Sequence, residues 1–207
     1  MKGKQEMKLL TMLIVSVNFL LIAGCVSSTR YVDVNNDPSI VTSSIDENDF
    51  KKAAAESVTS MLNSGALNKN GGGRYVLAIS TITNDTMQRI DVDMLIKKIR
   101  IDLLQSGKVV VTTAVRAGGP EDSMSMQTRD LRKSEEFNQD TVAAKGQMIA
   151  PDLSLSGKII QRNTTGKGGQ RIDYYFQLTL TDINSGLAFW EGETVVAKMT
   201  SNNSAAW

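Results

Sequence analysis

The chain has 207 residues, of which 41% are hydrophobic and 22% are charged, proportions typical of one globular domain with appendages. Without residues 1–24, Lys+Arg falls from 23 to 20 and Asp+Glu from 22 to 21, so the formal net charge changes from +1 to −1. A domain with a net charge this close to zero is a poor candidate for binding nucleic acid. The chain has no histidine and one cysteine, which excludes histidine-based nucleophile systems, HExxH and cysteine-cluster zinc sites, and an internal disulfide.

Residues 1–24 have the pattern of a cleaved signal peptide. Three lysines lie within the first eight residues, and the stretch from Leu9 to Gly24 is uncharged, apolar and shorter than a membrane-spanning helix normally needs. It ends in Ile22-Ala23-Gly24-Cys25, which resembles the lipobox of bacterial lipoproteins, in which the cysteine thiol receives a diacylglyceryl group before cleavage. We therefore predict that Cys25 is the lipid-carrying N-terminus of the mature protein. A soluble secreted form or an uncleaved anchor is the alternative.

The residue after the predicted lipid site is Val26. In lipoproteins that are sorted by an aspartate at this second position, the lack of that aspartate directs the protein to the outer membrane. The resemblance therefore implies an outer-membrane location, facing the periplasm. Several acyl chains such as palmitate on one residue give firm attachment, because each buried methylene contributes about 0.8 kcal/mol.

The mature chain divides into a predicted flexible tether over residues 25–45 and a globular α/β domain over residues 46–207. The tether is rich in Ser, Thr, Asn and Asp and shows no apolar period. The first helix is expected to begin near Asn48, because Ser44-Ile45-Asp46-Glu47 has capping-box spacing and apolar residues then recur on one helical face. Asn63-Ser64-Gly65 is expected to end it.

A strand–helix–strand unit is predicted next. Tyr75–Ile79 and Val109–Thr112 are short, mostly apolar runs of the kind found in strands buried on both faces. Asp91 or Asp93 can cap the helix between them, and Gly107 can end it. The apolar residues of this helix that share one face are Val92, Leu95, Ile96, Ile99 and Leu103. This order of elements favours parallel pairing of the two strands.

The rest of the chain predicts short helices and then a meander. Glu121–Lys145 is polar with scattered apolar residues, which predicts two short helices with a break near Phe137-Asn138. A Gly-rich connection over Asn163–Gln170 and a tight turn at Asn184-Ser185-Gly186 then join three strands. These strands are predicted over Leu153–Gln161, Asp173–Thr181 and Ala188–Lys198. The predicted fold is α/β, with a mixed β-sheet (a βαβ-like start followed by an antiparallel meander) packed with about four helices.

Three short motifs are candidate sites of chemistry. Gly166-Lys167-Gly168-Gly169 offers a possible phosphate cradle, but it lacks the P-loop spacing and joins two strands, so a hairpin turn is favoured. Glu121-Asp122 and Glu135-Glu136 are adjacent carboxylates, whereas a glycosidase needs two acids that face each other across the substrate. A solvated face is therefore favoured for both pairs. We predict no catalytic residue, no metal site and no cofactor.

Three further features have a structural and a functional interpretation. Trp190 is favoured as core or edge packing over a ligand platform. Lys97-Lys98 and Arg100 are favoured as a solvated helix face over a partner-binding patch. Asn84-Asp85-Thr86 follows a buried strand, where loops of α/β folds often carry sites, but capping the next helix or closing the turn is favoured.

Several segments of this chain resemble the LpoB-type penicillin-binding protein activators. They are Tyr75–Thr81, Asn84–Thr86, Ile90–Val109, and Leu178–Gly186 followed by Trp190-Glu191-Gly192. The resemblance covers about residues 48 to 197. It implies a non-enzymatic outer-membrane lipoprotein that reaches through the peptidoglycan, binds a bifunctional class A penicillin-binding protein and raises its glycosyltransferase and transpeptidase activities. It implies no small-molecule substrate, and we assign no partner-contact residue from it.

The alternative is a structural subunit of an envelope or export assembly, because the last motif also recurs in related periplasmic folds such as the curli-export lipoprotein. Such a subunit would need long amphipathic hairpins. The arms beside the Gly-rich connection carry Arg162, Arg171 and Asp173 near the turn, which favours the activator, and an enzyme ranks third. Enteric family members have a long Pro-rich tether, whereas this tether is short and has only Pro38.

Overall fold

The structure is a computed structural model that describes residues 42–115 and 122–201, together with Gly3 and Tyr31. The chain divides into two compact units, Met1–Ile40 and Val41–Trp207. The predicted signal peptide and Cys25 belong to the first unit and, apart from Gly3, lie outside the described residues. Signal cleavage and lipidation therefore stay predictions.

Three α-helices, one short 3₁₀ helix and five strands make up the described part of the second unit. The helices are α1 (Glu47–Asn63), α2 (Val92–Gln105) and α3 (Ser123–Asp130), and the 3₁₀ helix is Leu131–Lys133. The strands are β1 (Tyr75–Asp85), β2 (Val109–Val111), β3 (Leu153–Gly166), β4 (Gly169–Asp182) and β5 (Ala188–Thr200). The α/β class is confirmed, with three α-helices in this part of the chain where the sequence predicts about four.

Helix α1 begins at Glu47 because Asp46 caps it. The Asp46 carboxylate accepts hydrogen bonds from the backbone N–H groups of Asn48 and Asp49, and the Asp49 carboxylate accepts one from the Asp46 N–H at 2.8 Å. This reciprocal pair is a capping box, set two residues later than the Ser44–Glu47 spacing predicts. The face of α1 toward the sheet buries Phe50, Ala53, Ala54, Val58 and Met61.

Helix α2 follows the predicted pattern. Asp91 is the cap, since its carboxylate accepts a hydrogen bond from the Asp93 N–H at 3.0 Å. Gly107, which follows the helix, has a φ of 69°, a left-handed conformation that glycine adopts without strain. The buried residues of α2 are Leu95, Ile96, Ile99 and Leu103, all on the predicted apolar face.

The five strands form one sheet in the order β2-β1-β3-β4-β5. Strand β1 is parallel to both β2 and β3, whereas β3–β4 and β4–β5 are antiparallel. The mixed sheet, with its parallel start and antiparallel meander, is therefore confirmed.

Strand β1 is longer than predicted, because it continues past Ile79 to Asp85. Its register against β3 shifts between Ile79 and Ile82, and Ile82 is buried. The shift interrupts the run of apolar residues. The alternation of buried and exposed side chains is therefore not regular across it, and the sequence does not reveal that the strand continues. The prediction of a loop at Asn84-Asp85-Thr86 is wrong for Asn84 and Asp85, which form the end of this strand.

The connection between β3 and β4 is a two-residue hairpin turn, Lys167-Gly168, instead of the predicted eight residues. Strand pairing continues through Thr165↔Gln170 to Gly166↔Gly169. Gly169 has a φ of 131°, which permits the tight reversal. Polar residues with exposed side chains line this end of the hairpin, so no apolar alternation marks the pairing in the sequence.

Beyond the 3₁₀ helix the chain is irregular up to β3, so the second short helix predicted in Glu121–Lys145, after the break near Phe137-Asn138, is wrong. Arg132 donates hydrogen bonds to the backbone carbonyls of Ala143 and Ala144. The Gln139 amide likewise donates to the carbonyls of Ser134 and neighbouring residues. These side chain–backbone bonds satisfy carbonyls that a helix would otherwise use, which is how polar residues compete with helix formation.

Both long helices lie on one face of the sheet. Helices α1 and α2 pack against each other, α1 against β5, and α2 against β1 and β2. Phe50 of α1 meets Phe176 of β4 edge to face, with ring centroids 6.2 Å apart. We call the helix-covered side the inner face and the opposite side the outer face. On the outer face the strands place polar side chains at alternate positions, such as Ser154, Ser156 and Lys158 of β3.

Candidate functional site

A buried ion cluster lies where the chain enters the globular domain. The Lys198 ammonium of β5 lies 2.9 Å from an Asp46 carboxylate oxygen and 2.5 Å from one of Asp49, and it donates a hydrogen bond to the Ser44 carbonyl at 2.7 Å. The side chain of Lys198 is 7% exposed and that of Asp49 is 10% exposed. A buried ammonium is tolerated only when it is paired and hydrogen-bonded in this way.

A second contact fastens the same segment. The Tyr174 hydroxyl of β4 donates a hydrogen bond to the Ser43 carbonyl at 3.0 Å and accepts one from the Gln88 amide at 2.6 Å. The Gln88 side-chain oxygen accepts a hydrogen bond from the Ile45 N–H at 3.1 Å. We call residues 42–46 the N-terminal strap, because these bonds tie them to β4, β5 and the segment after β1.

The environment of the strap shifts two pKa values. Burial raises the pKa of Asp46, but the Lys198 ammonium and the amides of Asp49 and Asn48 lower it more, so its pKa lies below the ordinary 3.8. Burial raises the pKa of Tyr174, and the hydrogen bond from Gln88 only partly offsets this. At neutral pH the Asp46 carboxylate is therefore ionised and the Tyr174 hydroxyl is protonated and able to donate.

Neither anchor of the strap, Lys198 or Tyr174, is predicted by the sequence. Lys198 occupies a buried inner-face position of β5, next to the apolar inner residue Val196. A lysine in a buried register is the one signal that could have marked it. Its partners are separated from it by about 150 residues, so the sequence offers no spacing that joins them.

The outer face of the sheet carries rows of polar pairs. Lys158 of β3 forms an ion pair with Asp85 of β1 at 2.5 Å. On the β5 side, the Gln177 amide donates a hydrogen bond to Glu193 at 2.8 Å, and the Thr179 hydroxyl contacts Glu191 at 3.4 Å. These last residues border a shallow depression of about 420 Å³ that is lined by Gln177, Leu178, Thr179, Glu191, Gly192 and Glu193. Open, polar surfaces of this kind suit contact with another chain better than enclosure of a small ligand.

The glycines of the Gly166–Gly169 motif and three of the four paired acids occupy ordinary structural positions, whereas Glu121 lies outside the described residues. The Gly166–Gly169 motif forms the β3–β4 turn, as predicted. Glu135 and Glu136 are exposed, and Asp122 caps α3 by accepting a hydrogen bond from the Met124 N–H at 3.1 Å. In residues 42–115 and 122–201, no group of three or more His, Cys, Asp or Glu side chains is arranged to hold a metal ion.

The remaining candidates also have structural partners. Trp190 is buried, and its indole N–H donates a hydrogen bond to the Ser60 hydroxyl at 3.3 Å. Lys98 forms an ion pair with Glu47 at 3.1 Å, which joins α2 to the start of α1. The side chain of Asn84 accepts hydrogen bonds from Thr86 and donates one to a backbone carbonyl, so it closes the turn after β1. The cap of α2 is Asp91 instead.

Among the described residues, no helix is both long and apolar enough to cross a membrane. The longest described helix, α1, has 17 residues and a polar side that faces solvent.

Comparison with known proteins gives a family match. Residues 49–196 match the model of a family described as the peptidoglycan-synthase activator LpoB. None of the curated protein sequences matches the chain.

Solved structures with a similar chain course were also found. The LpoB C-terminal domain from Salmonella enterica has 15% identity and a TM-score of 0.43, over 72% of this chain and 98% of that one. The LpoB C-terminal domain from Escherichia coli has 14% identity and a TM-score of 0.43, over 72% and 99%. Lipoprotein GNA1162 from Neisseria meningitidis has 15% identity and a TM-score of 0.35, over 65% and 88%.

Proposed function

The chain belongs to the LpoB family of peptidoglycan-synthase activators, and from this membership we propose that it is an outer-membrane lipoprotein that binds and activates a bifunctional class A penicillin-binding protein from the periplasmic side. The family match is the observation that carries the proposal. It runs from the first turn of α1 into β5, so it includes all or most of each of the five strands and three α-helices that the structure describes in the domain. A regulatory protein, not an enzyme, is the role that this family implies.

Attachment to the membrane is proposed through lipid on Cys25. The tether of about twenty residues then reaches about 65–70 Å when fully extended and typically spans about 25 Å. The N-terminal strap supports this arrangement, because it fixes the point at which the tether joins the domain, beside the Lys198 end of β5. The lipid acts by raising the effective concentration of the domain near its partner.

Activation requires that the domain bind the active conformation of the synthase more tightly than the inactive one, because a partner with equal affinity for both shifts nothing. A stimulation of several-fold to a hundredfold needs about 1–3 kcal/mol of such differential binding. Contact with a surface remote from the active sites of the synthase is sufficient for this effect.

Lipidation is tested by replacing the single cysteine. Cells that express the wild type or Cys25→Ser are grown with a radioactive fatty acid, and the protein is then recovered from separated membranes. We expect label on the wild type in the outer-membrane fraction and none on the variant. Equal labelling of the two proteins would end the lipoprotein proposal.

Partner binding is tested with the soluble mature chain, residues 26–207, immobilised on a sensor surface and exposed to each class A synthase of the host in detergent. We expect saturable binding to one synthase. A class B penicillin-binding protein from the same host serves as the specificity control. Folded protein that binds none of the class A enzymes contradicts the proposal.

A further inference from the structure

The two edges of the sheet are built differently. The β2 edge has three residues, as is common where a protein limits unwanted strand pairing, whereas β5 has thirteen. In the described part of the chain, no strand pairs with the side of β5 that faces away from β4. A long edge strand presents unpaired backbone N–H and C=O groups to another chain.

Only one row of β5 side chains is available to such a chain. Helix α1 covers the inner row, where the Ser57 hydroxyl lies 3.3 Å from that of Thr194 and Ser60 bonds Trp190. A register shift at Leu180/Thr181 interrupts the pairing of β5 with β4 next to Trp190. Beyond it the strand runs regularly, and its exposed outer-face residues are Glu191, Glu193, Val195, Ala197 and Met199.

The charge of this row selects the kind of partner. Glu191 and Glu193 are exposed, Thr179 and Gln177 hold their carboxylates over the outer face, and the row contains no basic side chain. Antiparallel pairing with β5 of a second copy therefore gives neither glutamate a basic partner in any register, because it places one outer row beside the other. A strand with basic residues opposite the two acids complements them, since opposite charges across a strand pair are favourable.

We propose that β5 accepts an extended segment of the synthase as a sixth strand, with basic side chains opposite Glu191 and Glu193 and apolar side chains opposite Val195 and Met199. The backbone supplies affinity and the alternating side chains supply specificity, as in other cases of strand addition. This inference rests on the proposed function for the identity of the partner. The ability of the β5 edge to bind a strand with basic residues does not depend on the identity of the partner.

A peptide probe tests the edge without the synthase. The nine-residue peptide Val-Thr-Thr-Thr-Val-Thr-Lys-Thr-Lys, blocked at both ends, places its lysines opposite the two acids when it pairs antiparallel. Its counterpart carries glutamate in place of each lysine. Amide NMR spectra of isotope-labelled mature chain are recorded during titration to millimolar peptide. We expect shifts in β5 from the lysine peptide, and binding about tenfold weaker for the glutamate peptide at low ionic strength.

Matched variants distinguish binding through charge complementarity at β5 from nonspecific binding of the peptide. Glu191→Lys/Glu193→Lys is expected to reverse the preference between the two peptides. Glu135→Lys/Glu136→Lys makes the same change of charge at exposed residues outside β5 and is expected to leave the preference intact. The inference is overturned if millimolar lysine peptide shifts no β5 signal or shifts only the signals of other strands. It is also overturned if the β5 variant does not reverse the preference between the peptides, or if the chain forms a homodimer through β5.

Hydrogen exchange on the complex tests the same edge with the synthase. We expect the synthase to slow the exchange of alternate amides between Glu191 and Met199, those that face away from β4, because strand addition gives them a hydrogen-bond partner. Synthase that binds while these amides exchange at the free rate refutes strand addition as the binding mode. Absence of any synthase binding contradicts the proposed function instead, and the peptide titration still decides the chemistry of the edge.

Discussion

Replacing Lys198 by methionine removes the ammonium of the buried ion cluster while keeping a side chain of similar length. The Asp49 carboxylate, 10% exposed, then stays buried without its cation, and Asp46 loses the same partner. Breaking a buried ion pair from one side costs about 3–5 kcal/mol. We expect about 3 kcal/mol, because both carboxylates still accept backbone hydrogen bonds at the start of α1. For a domain of this size, that corresponds to a melting temperature about 6–12 °C lower.

The assay is urea unfolding of the soluble mature chain at several pH values, followed by far-UV circular dichroism. Lys97→Met, at an exposed position on α2, is the control and should change stability by less than about 0.5 kcal/mol. The pKa of Asp46 is below 3.8 in the folded chain, so its ion pair stabilises the fold above that pH and stops doing so as the pH falls through the folded pKa. The difference between Lys198→Met and the wild type should therefore shrink below about pH 4.

Two results would refute this reasoning. One is a loss of less than about 1 kcal/mol at pH 7, which would mean that solvent replaces the ammonium without penalty. The other is a difference that stays constant down to pH 3, which would mean that the loss comes from packing and not from charge.

Three further perturbations test other parts of the structure. In Gly157→Ala, the new methyl group would lie 2.5 Å from the backbone oxygen of Gln177, so we expect a loss of about 1–3 kcal/mol by urea unfolding, whereas Gly166→Ala, with open space around it, should be nearly neutral. Tyr174→Phe removes the hydroxyl that binds Ser43 and should cost about 1 kcal/mol and speed hydrogen exchange in residues 42–46; unchanged exchange there would show that this bond does not hold the strap. The purified mature chain should hydrolyse neither peptidoglycan nor muropeptides, and turnover that persists through purification and disappears on mutation of one domain residue would argue against a purely regulatory role.

Local patterns predicted the elements whose contacts repeat regularly along the chain. The buried residues of α2 are four of the five on its predicted face, and β4 has the alternation of a strand with one face on the core. Prediction failed where the regularity stops, as at the register shift in β1 and the polar end of the β3–β4 hairpin. In both places the strand is held by backbone pairing with a neighbouring strand. The side chains there show no regular alternation of apolar and polar residues from which the strand could be predicted.

The proposed functional surfaces depend on the sheet order, which could not be read from the sequence. Glu191 and Glu193 stand in a predicted strand, but only the order β2-β1-β3-β4-β5 places them at an edge. Lys198 is likewise an ordinary strand residue until Asp46 and Asp49 are brought beside it. The family resemblance pointed to the role of the chain, whereas the surface proposed to contact the partner could be recognised only in the structure.

The central claim is that the domain activates a class A synthase, and the most direct test is the rate of glycan polymerisation by the purified cognate synthase in detergent. The soluble mature chain, residues 26–207, is titrated into the reaction while its binding is measured in parallel. The account predicts a saturable rise in rate whose midpoint coincides with that of binding, without lipid on the activator. A rate that stays unchanged when binding is saturated would contradict it.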